Sequence, residues 1–181
     1  GHDFEGRGAT AGLVFAGHET TKNQLGWTVA VLAGRPDVWD AVARGALAAP
    51  TVVEEILRYR SAVTAVGRVV TEPIEHAGER LEPGSQVLLS LWSADHDDAA
   101  YPCPEEIAPE RNGEIPHVAF GHGAHFCLGA ALARAELQEA LTALTARLEC
   151  PAVADGAVWK PPVGNNGPDQ LPITFTARQR G

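Results

Sequence analysis

The sequence predicts a mainly helical protein with small β-sheets, because two long helical patterns flank a group of short β-rich segments. The helical patterns cover residues 8–33 and 128–148. The β-rich segments at 67–71 and 86–91 lie between them and contain the β-branched and aliphatic residues typical of strands. Residues 95–114 are rich in Pro, Asp and Glu, so we expect an extended irregular segment there.

The first long helix, residues 8–33, has apolar residues on most of its circumference rather than along one stripe. A helix of this kind is buried on more than one side. Gly34 and Pro36 follow it, and this pair predicts the end of the first helix and the start of a second helix over Pro36–Ala43.

A third helix is predicted to run through Tyr59. Thr51 is its expected N-cap, since Glu54 stands at the fourth place of the S/T-x-x-E capping pattern. Such a cap satisfies N–H groups that the first turn of a helix leaves unpaired.

Two turns and one apolar stripe complete the predicted framework. Residues 82–85, Glu-Pro-Gly-Ser, are a type II turn signature between the strands. Residues 164–167, Gly-Asn-Asn-Gly, predict a hairpin-like turn before a strand over 171–175. Four leucines share one face of the second long helix: Leu137, Leu141, Leu144 and Leu148.

Composition limits both the fold and the partners. The chain has 181 residues, a net charge of −9 and 45% hydrophobic residues, values that suit one globular domain. The acidic charge argues against nucleic acid and membranes as partners, and no apolar run reaches the ~20 residues of a membrane span. Three cysteines without a C-x-x-C pair, and no signal-peptide pattern, favour a reducing, cytoplasmic location.

A glycine-rich segment at residues 120–129, FGHGAHFCLG, carries the strongest chemical signal. Cys127 lies where this segment enters the second long helix, and the unpaired N–H groups at a helix N-terminus favour a thiolate. Gly121, Gly123 and Gly129 allow backbone or a flat ligand to come close to the sulfur.

Two other interpretations of Cys127 stay open at this point. A lone cysteine is most often a buried structural residue. His122 and His125 are candidates to join Cys127 in a zinc site, but the sequence offers no fourth ligand at a suitable spacing.

Residues 16–21, AGHETT, form a polar, small-residue break in the first long helix. Gly17 opens the helix surface, and Glu19 with Thr20 places an acid beside a hydroxyl, a pair able to relay protons. Taken alone, such residues are also typical of a solvated helix position or of a hydroxyl bonded to the preceding turn.

A third pattern pairs Glu55 with Arg58 one helical turn later, and Arg111 follows in a Pro-Glu-Arg segment. Glu and Arg at this spacing are commonplace on helix surfaces, where each pair contributes a few tenths of a kcal/mol.

Together these motifs resemble those of the cytochrome P-450 family. Residues 120–129 match its haem loop, F-x-x-G-x-[HR]-x-C-x-G, at every fixed position. Residues 16–21 match its oxygen-binding helix motif, [AG]-G-x-[DE]-T-T, and residues 55–58 match its E-x-x-R. The resemblance covers about residues 8–175 and implies the C-terminal, haem-binding part of the P-450 fold, so that residues 1–181 form one partial domain.

The resemblance implies haem b as the cofactor and Cys127 as its iron ligand. Arg68, His117 and His125 are the residues that we expect to meet the haem propionates. The full set of expected haem-binding residues is Gly17, Arg68, His117, Phe120, Gly121, His125, Cys127 and Gly129.

The resemblance also assigns two further groups of residues. Glu19 and Thr20 are the expected catalytic pair, which delivers protons. Glu55, Arg58 and Arg111 are the expected structural clamp, a buried ion-pair network behind the haem loop. The family's frequent A-N-R-D string is replaced by Ala-Asp-His-Asp at residues 94–97.

The implied activity is that of a haem-thiolate monooxygenase, which inserts one oxygen atom of O2 into a small, mostly hydrophobic molecule. Electrons would come from NAD(P)H through a ferredoxin or flavoprotein, with Arg134 as a candidate docking residue. Expected substrate-facing positions are 13–16, 63–66 and 164–166, which are small and largely apolar. Two alternatives are a peroxide-driven peroxygenase and a non-catalytic haem-binding or partner protein.

Overall fold

The computed structural model describes the backbone of residues 2–111, 115–162 and 164–179, with side chains from residue 10 onward. These residues form five α-helices and four two-stranded sheets, as the predicted class requires. The helices are α1 (His2–Ala33), α2 (Pro36–Ala43), α3 (Ala49–Tyr59), α4 (Leu91–Asp95) and α5 (Ala130–Thr145). The strands are β1 (Ala65–Val69), β2 (Ile74–His76), β3 (Glu79–Leu81), β4 (Gln86–Ser90), β5 (Leu148–Val153), β6 (Val158–Trp159), β7 (Pro168–Gln170) and β8 (Ile173–Ala177). Residues 112–114, the end of the predicted irregular segment, lie outside the described residues.

Helix α1 begins at His2, earlier than the sequence pattern predicts. Its second half packs into the protein, with Leu32 fully buried although Lys22 is exposed, whereas the apolar residues 13–15 in its first half are 59–70% exposed. The predicted burial on several sides therefore holds only for the second half. Of the described helices, including this one of 32 residues, none is both long and apolar enough to cross a bilayer.

The hydrophobic core lies where α2, α3 and α5 pack against the second half of α1. Trp39 is fully buried in it, and its Nε1 donates to the Leu148 carbonyl at 2.9 Å. Burying apolar surface contributes about 25 cal/mol per Å² to stability, so this cluster holds the helices together. Its most deeply buried members are Leu32, Trp39, Val52, Val53, Ile56, Leu137 and Leu141.

Helix α5 is shorter than the predicted 128–148 helix. Its N-cap is Gly129, and Leu148 already belongs to β5, which pairs with β8. Leu137 and Leu141 are fully buried, whereas Leu144 and Leu148 pack at the edge of the core. The predicted apolar stripe is therefore confirmed, although it spans a helix and the strand that follows.

The predicted N-cap of α3 is wrong. The helix begins at Ala49 after the N-cap Ala48, and Pro50 occupies its first turn. Proline suits that position because its missing N–H would have no partner in the helix. Thr51 consequently lies inside the helix, where its side chain is exposed.

Glu54 connects α3 to α5 and to the segment before the cysteine loop. Its Oε1 accepts from Arg134 Nε at 2.7 Å, and its Oε2 lies 3.1 Å from His117 Nε2. Burial acts to raise the pKa of Glu54, but the hydrogen bonds and charges of His117 and Arg134 outweigh it and hold that pKa at about 2.

Strands β1 and β4 pair antiparallel, and β1 begins two residues before the predicted strand. The predicted type II turn at 82–85 is confirmed, since Ser85 N donates to the Glu82 carbonyl at 3.0 Å and Gly84 has a φ of 89°. The hairpin of β2 and β3, which precedes this turn, is not evident from the sequence. Its residues 77–78 turn at positive φ.

The predicted hairpin turn at 164–167 does not lead into β8. Strand β8 pairs with β5, and the described residues 160–162 and 164–167 belong to a longer connection between β6 and β7, which pair with each other. The predicted tight turn does not form, because the Asn165 backbone pairs instead with the Val63 backbone, which follows α3.

A buried ion pair ties α3 to the irregular segment. Arg58 and Glu55 share two N–H···O bonds of 2.9 Å, and their side chains are 2% and 6% exposed. The other N–H groups of Arg58 donate to the carbonyls of Asp95, Pro104 and Glu106 at 2.9–3.1 Å. All five guanidinium N–H groups are thus paired.

Arg111 joins the same cluster. Its Nε lies 3.6 Å from Glu55 Oε1, and its Nη2 donates to the carbonyls of Cys103 and Glu106, each at 3.1 Å. The Ala108 N–H donates to Glu55 Oε1 at 2.9 Å. The structure therefore brings the three residues expected in the clamp together, and it adds backbone carbonyls as partners.

Replacing Arg58 tests this cluster. Arg58→Ala should lower the free energy of unfolding by about 3–5 kcal/mol, because Glu55 would remain buried without its main cation. Arg44→Ala, which removes an exposed arginine at the end of α2, is the control and should change it by less than ~0.5 kcal/mol. Urea unfolding of the chain measures both variants. Equal stability of the two would contradict a buried, paired guanidinium.

The Glu54 contacts should make the fold sensitive to acid. The pKa of Glu54 is about 2 in the folded chain against an ordinary value of 4.5. Its contribution to the free energy of unfolding is therefore complete above about pH 4.5 and is lost as the pH falls toward 2. Glu54→Gln should flatten the decline of the free energy of unfolding across that range. Glu136→Gln, which replaces an exposed carboxylate on α5, should leave the decline unchanged. The same decline in both variants would mean that Glu54 is unpaired in solution.

Candidate functional site

The cysteine loop, residues 120–129, is held by backbone hydrogen bonds. Cys127 N donates to the Phe120 carbonyl and Phe126 N donates to the Gly123 carbonyl, both at 3.0 Å. The rings of Phe120 and Phe126 meet edge to face with centroids 6.4 Å apart. Cys127 therefore has a fixed backbone just before the N-terminal end of α5, where the sequence predicts it.

The loop presents Cys127 to solvent between two apolar side chains. The cysteine is exposed, and Phe126 and Leu128 on either side are 51% and 87% exposed. Gly121 and Gly123 have φ values of 73° and 78°, which glycine adopts without strain. The alternative of a buried structural cysteine is therefore wrong.

A zinc site at this loop has no support in the described residues. No group of three or more His, Cys, Asp or Glu side chains among residues 2–111, 115–162 and 164–179 is arranged to hold a metal ion. His122, His125 and Cys127 do not form such a group, although all three are exposed.

The polar break in α1 does not interrupt the helix. The Thr20 hydroxyl donates to the carbonyl one turn earlier at 2.5 Å. A Cβ built at Gly17 would meet no atom within 4 Å, so the helix surface is open there. Glu19 accepts from Lys160 Nζ at 2.5 Å, and this hydrogen bond lowers the pKa of Glu19 below its ordinary value.

Arg68 and His125 are both available to a ligand. Arg68 is exposed on β1, where its guanidinium donates to the neighbouring Gly67 carbonyl at 2.8 Å. Within the described part of the chain no carboxylate pairs with it. His125 is exposed at the end of the 3₁₀ turn Gly123–His125.

His117 lies apart from these two exposed groups. Its Nε2 lies 3.1 Å from Glu54, its Nδ1 accepts from the Ala119 N–H at 3.2 Å, and its side chain is 7% exposed. Both ring nitrogens are thus engaged within the protein. The contact of His117 with a haem propionate stays a prediction that this geometry does not favour.

Arg134, the candidate docking residue, is also engaged. Its guanidinium donates to Glu54 at 2.7 and 2.9 Å and lies 4.6 Å from the centroid of the Phe120 ring. Arg134 therefore packs against the cysteine loop at Phe120 and is not a free surface cation.

Lys160 is the residue near the predicted site that sequence reasoning missed. It lies 141 residues from Glu19 and belongs to no recognised motif. The one local signal is the Pro161-Pro162 pair that follows, which indicates a fixed backbone but no partner.

The exposed groups of this site fit a haem by their chemistry. A cysteine thiolate is a suitable iron ligand, and exposed apolar side chains suit the faces of a porphyrin. An exposed arginine and an exposed histidine suit its carboxylates. The residues that fit are Cys127, Phe126, Leu128, Arg68 and His125.

Comparisons with known proteins agree with this chemistry. The family model for cytochrome P-450 matches residues 49–164. Luteothin monooxygenase from Streptomyces thioluteus is 39% identical over 177 residues, which cover 97% of this chain and 43% of that protein. Erythromycin C-12 hydroxylase from Saccharopolyspora erythraea is 39% identical over 148 residues, which cover 80% of this chain and 37% of that protein.

The fold has close counterparts among solved structures. The crystal structure of substrate-free CYP109E1 from Bacillus megaterium superposes with a TM-score of 0.88 at 32% identity, covering 94% of this chain and 45% of that one. The chain thus spans less than half the length of these relatives. The chain belongs to the cytochrome P-450 family, as its sequence, its mainly helical fold and its cysteine loop all indicate.

Proposed function

We propose that this chain contributes the haem-binding part of a monooxygenase that inserts one oxygen atom of O2 into a small, mostly hydrophobic molecule. The observation that carries the proposal is the exposed Cys127, held by backbone hydrogen bonds between two exposed apolar side chains. The names of the relatives, a monooxygenase and a hydroxylase, support the same class of reaction.

Haem b is the proposed cofactor, with Cys127 as the iron ligand. When bound, it supplies dioxygen activation, which a thiolate ligand favours by donating electron density. Arg68 and His125 would bind its propionates through charge-assisted hydrogen bonds. Gly17, Phe120, Gly121 and Gly129 are the proposed contacts of the ring.

Glu19 and Thr20 are the proposed proton-delivering pair. The Thr20 hydroxyl gives its hydrogen to the Ala16 carbonyl, which leaves the lone pairs of Thr20 Oγ1 available to accept. Glu19 is the residue just before Thr20 on α1, and its carboxylate is able to take up and release a proton.

The proposed substrate class rests on exposed apolar side chains, and the proposed electron donor rests on membership of the cytochrome P-450 family. Residues 13–15 of α1 expose apolar side chains, which suit a hydrophobic substrate. Electrons would come from NAD(P)H through a ferredoxin or flavoprotein. Because Arg134 is paired with Glu54, it is not proposed as the docking residue.

Replacing Cys127 tests the iron ligand. The reduced carbon monoxide complex of the haem-loaded protein should show the strongly red-shifted Soret band of a thiolate ligand. Cys127→Ser should abolish this band, whereas Cys103→Ser and Cys150→Ser, which replace the other two exposed cysteines, should keep it. Loss of the band in either control, or its survival in Cys127→Ser, would refute the assignment.

Replacing Thr20 tests proton delivery. In the complete monooxygenase, Thr20→Ala should keep haem and consume NAD(P)H while diverting reducing equivalents to hydrogen peroxide. Product formation should fall by ~10²-fold or more, since a positioned proton donor contributes ~10²–10⁴-fold. Thr142→Ala is the matched control, because Thr142 makes the same bond to its own helix on α5 at 2.8 Å. If Thr20→Ala formed as much product per NAD(P)H consumed as the native enzyme, proton delivery by Thr20 would be contradicted. The peroxygenase alternative would then be favoured.

A further inference from the structure

Lys160 reaches α1 from the connection between β6 and β7. Its Nζ donates to Glu19 Oε1 at 2.5 Å and lies 3.5 Å from Asn23 Oδ1. The side chains of Lys160 and Glu19 are 20% and 33% exposed. The pair is therefore partly covered, unlike an ion pair between two mobile side chains at the surface.

The backbone around Lys160 is held on both sides. Trp159 stacks on Trp27 of α1, with ring centroids 4.5 Å apart and planes inclined by 21°. The Lys160 N–H donates to the Gly167 carbonyl at 3.0 Å, and Pro161 restricts Lys160 to extended conformations. Exposed ion pairs contribute little partly because pairing immobilises two flexible side chains. For Lys160 much of this ordering is already present.

Side-chain hydrogen bonds attach the same connection to α1. Asn23 Nδ2 donates to Asn165 Oδ1, and Trp27 Nε1 donates to Asn166 Oδ1, both at 3.0 Å. Asn23 is fully buried and Asn166 is 4% exposed, so each bond has one buried partner. The contact between Lys160 and Glu19 is one end of an ordered interface.

Two glycines permit this close approach. A Cβ built at Gly26 would lie 2.4 Å from Pro168 Cγ, and a Cβ at Gly167 would lie 2.6 Å from Asn23 Cβ. Any larger residue at either position would separate the connection from α1. The interface thus depends on two glycines that lie directly against Pro168 and Asn23.

We propose that Lys160 is a positioning residue that holds the Glu19 carboxylate in place for proton delivery. The proposal rests on the function proposed above, in which Glu19 delivers protons. The hydrogen bond from Lys160 is the main reason that the pKa of Glu19 is low, and the charges of Lys22 and His18 add to it. Without Lys160, Glu19 would be both more mobile and more readily protonated.

Lysine side-chain NMR tests the contact itself. The chain contains two lysines, Lys22 and Lys160, so two ammonium signals are expected from protein labelled with ¹⁵N-lysine. The Lys160 ammonium should exchange slowly with water, and Glu19→Gln should abolish this protection. Lys22 is exposed on α1, and Lys22→Met should leave the protected signal unchanged. Absence of a protected ammonium in the native protein would overturn the proposal, whatever the catalytic activity.

Kinetics of the complete monooxygenase test the role. Lys160→Met should lower kcat about 10-fold with an unchanged KM, less than the ~10²-fold or more expected for loss of a proton donor, because Glu19 is still present. The acid limb of its kcat–pH profile should move to higher pH, since Glu19 would then take up its proton at higher pH. Lys160→Arg should restore kcat, and Arg44→Met, which removes an exposed cation that does not act on Glu19, should match the native enzyme.

A double variant separates positioning from a merely structural role. In a Glu19→Gln background, Lys160→Met should have no further effect on kcat, because there is no carboxylate left to hold. An equal loss in both backgrounds, or no loss in the native background, would overturn the proposal for Lys160 alone. A native enzyme that forms no product would overturn the proposed function and this role with it. Haem content and circular dichroism of each variant verify that it is folded.

Discussion

The buried Arg58 guanidinium has a partner for each of its five N–H groups, and the position of the cysteine loop depends on this arrangement. Burying a cation costs several kcal/mol unless all its donors are paired, so the chain segments that supply the acceptors have little freedom. Those acceptors come from Glu55, from the carbonyl of Asp95 at the end of α4, and from the carbonyls of Pro104 and Glu106 in the irregular segment. Glu54, which precedes Glu55 on α3, pairs with Arg134 of α5. The guanidinium of Arg134 lies over Phe120 at the start of the loop. A single helix thus holds the irregular segment on one side and the cysteine loop on the other.

Helix α1 is packed in its second half and exposed in its first half. Its second half is packed against the core and against the connection between β6 and β7. Its first half exposes apolar side chains at residues 13–15 and an open backbone surface at Gly17. Glu19 lies at the boundary, where its contact with Lys160 is the first of the contacts that continue through Asn23 to Trp27. The proposed proton-delivering pair is therefore located where the helix passes from packed to exposed.

Features that a short stretch of sequence determines were predictable, and features that join distant stretches were not. The loop at 120–129 and the turn at 82–85 follow from local glycine and proline positions, and the structure has both. The N-cap at Thr51 was wrong because Pro50 offers an earlier start, which the capping pattern ignores. The β2–β3 hairpin was missed because nearly all its residues are exposed, so no apolar alternation marks it. The partners of Glu19 and Glu54 lie 141 and 80 residues away, and single-sequence patterns carry no information on such pairs.

The close approach at Gly26 and Gly167 has a consequence for protein engineering. The connection between β6 and β7 contains positions 164–166, which are expected to face the substrate, so it invites randomisation to change the substrate range. Yet a side chain at Gly167 or Gly26 would collide with Asn23 or Pro168 and lift the whole segment from α1. Randomising these two glycines would therefore remove most library members through misassembly rather than altered selectivity.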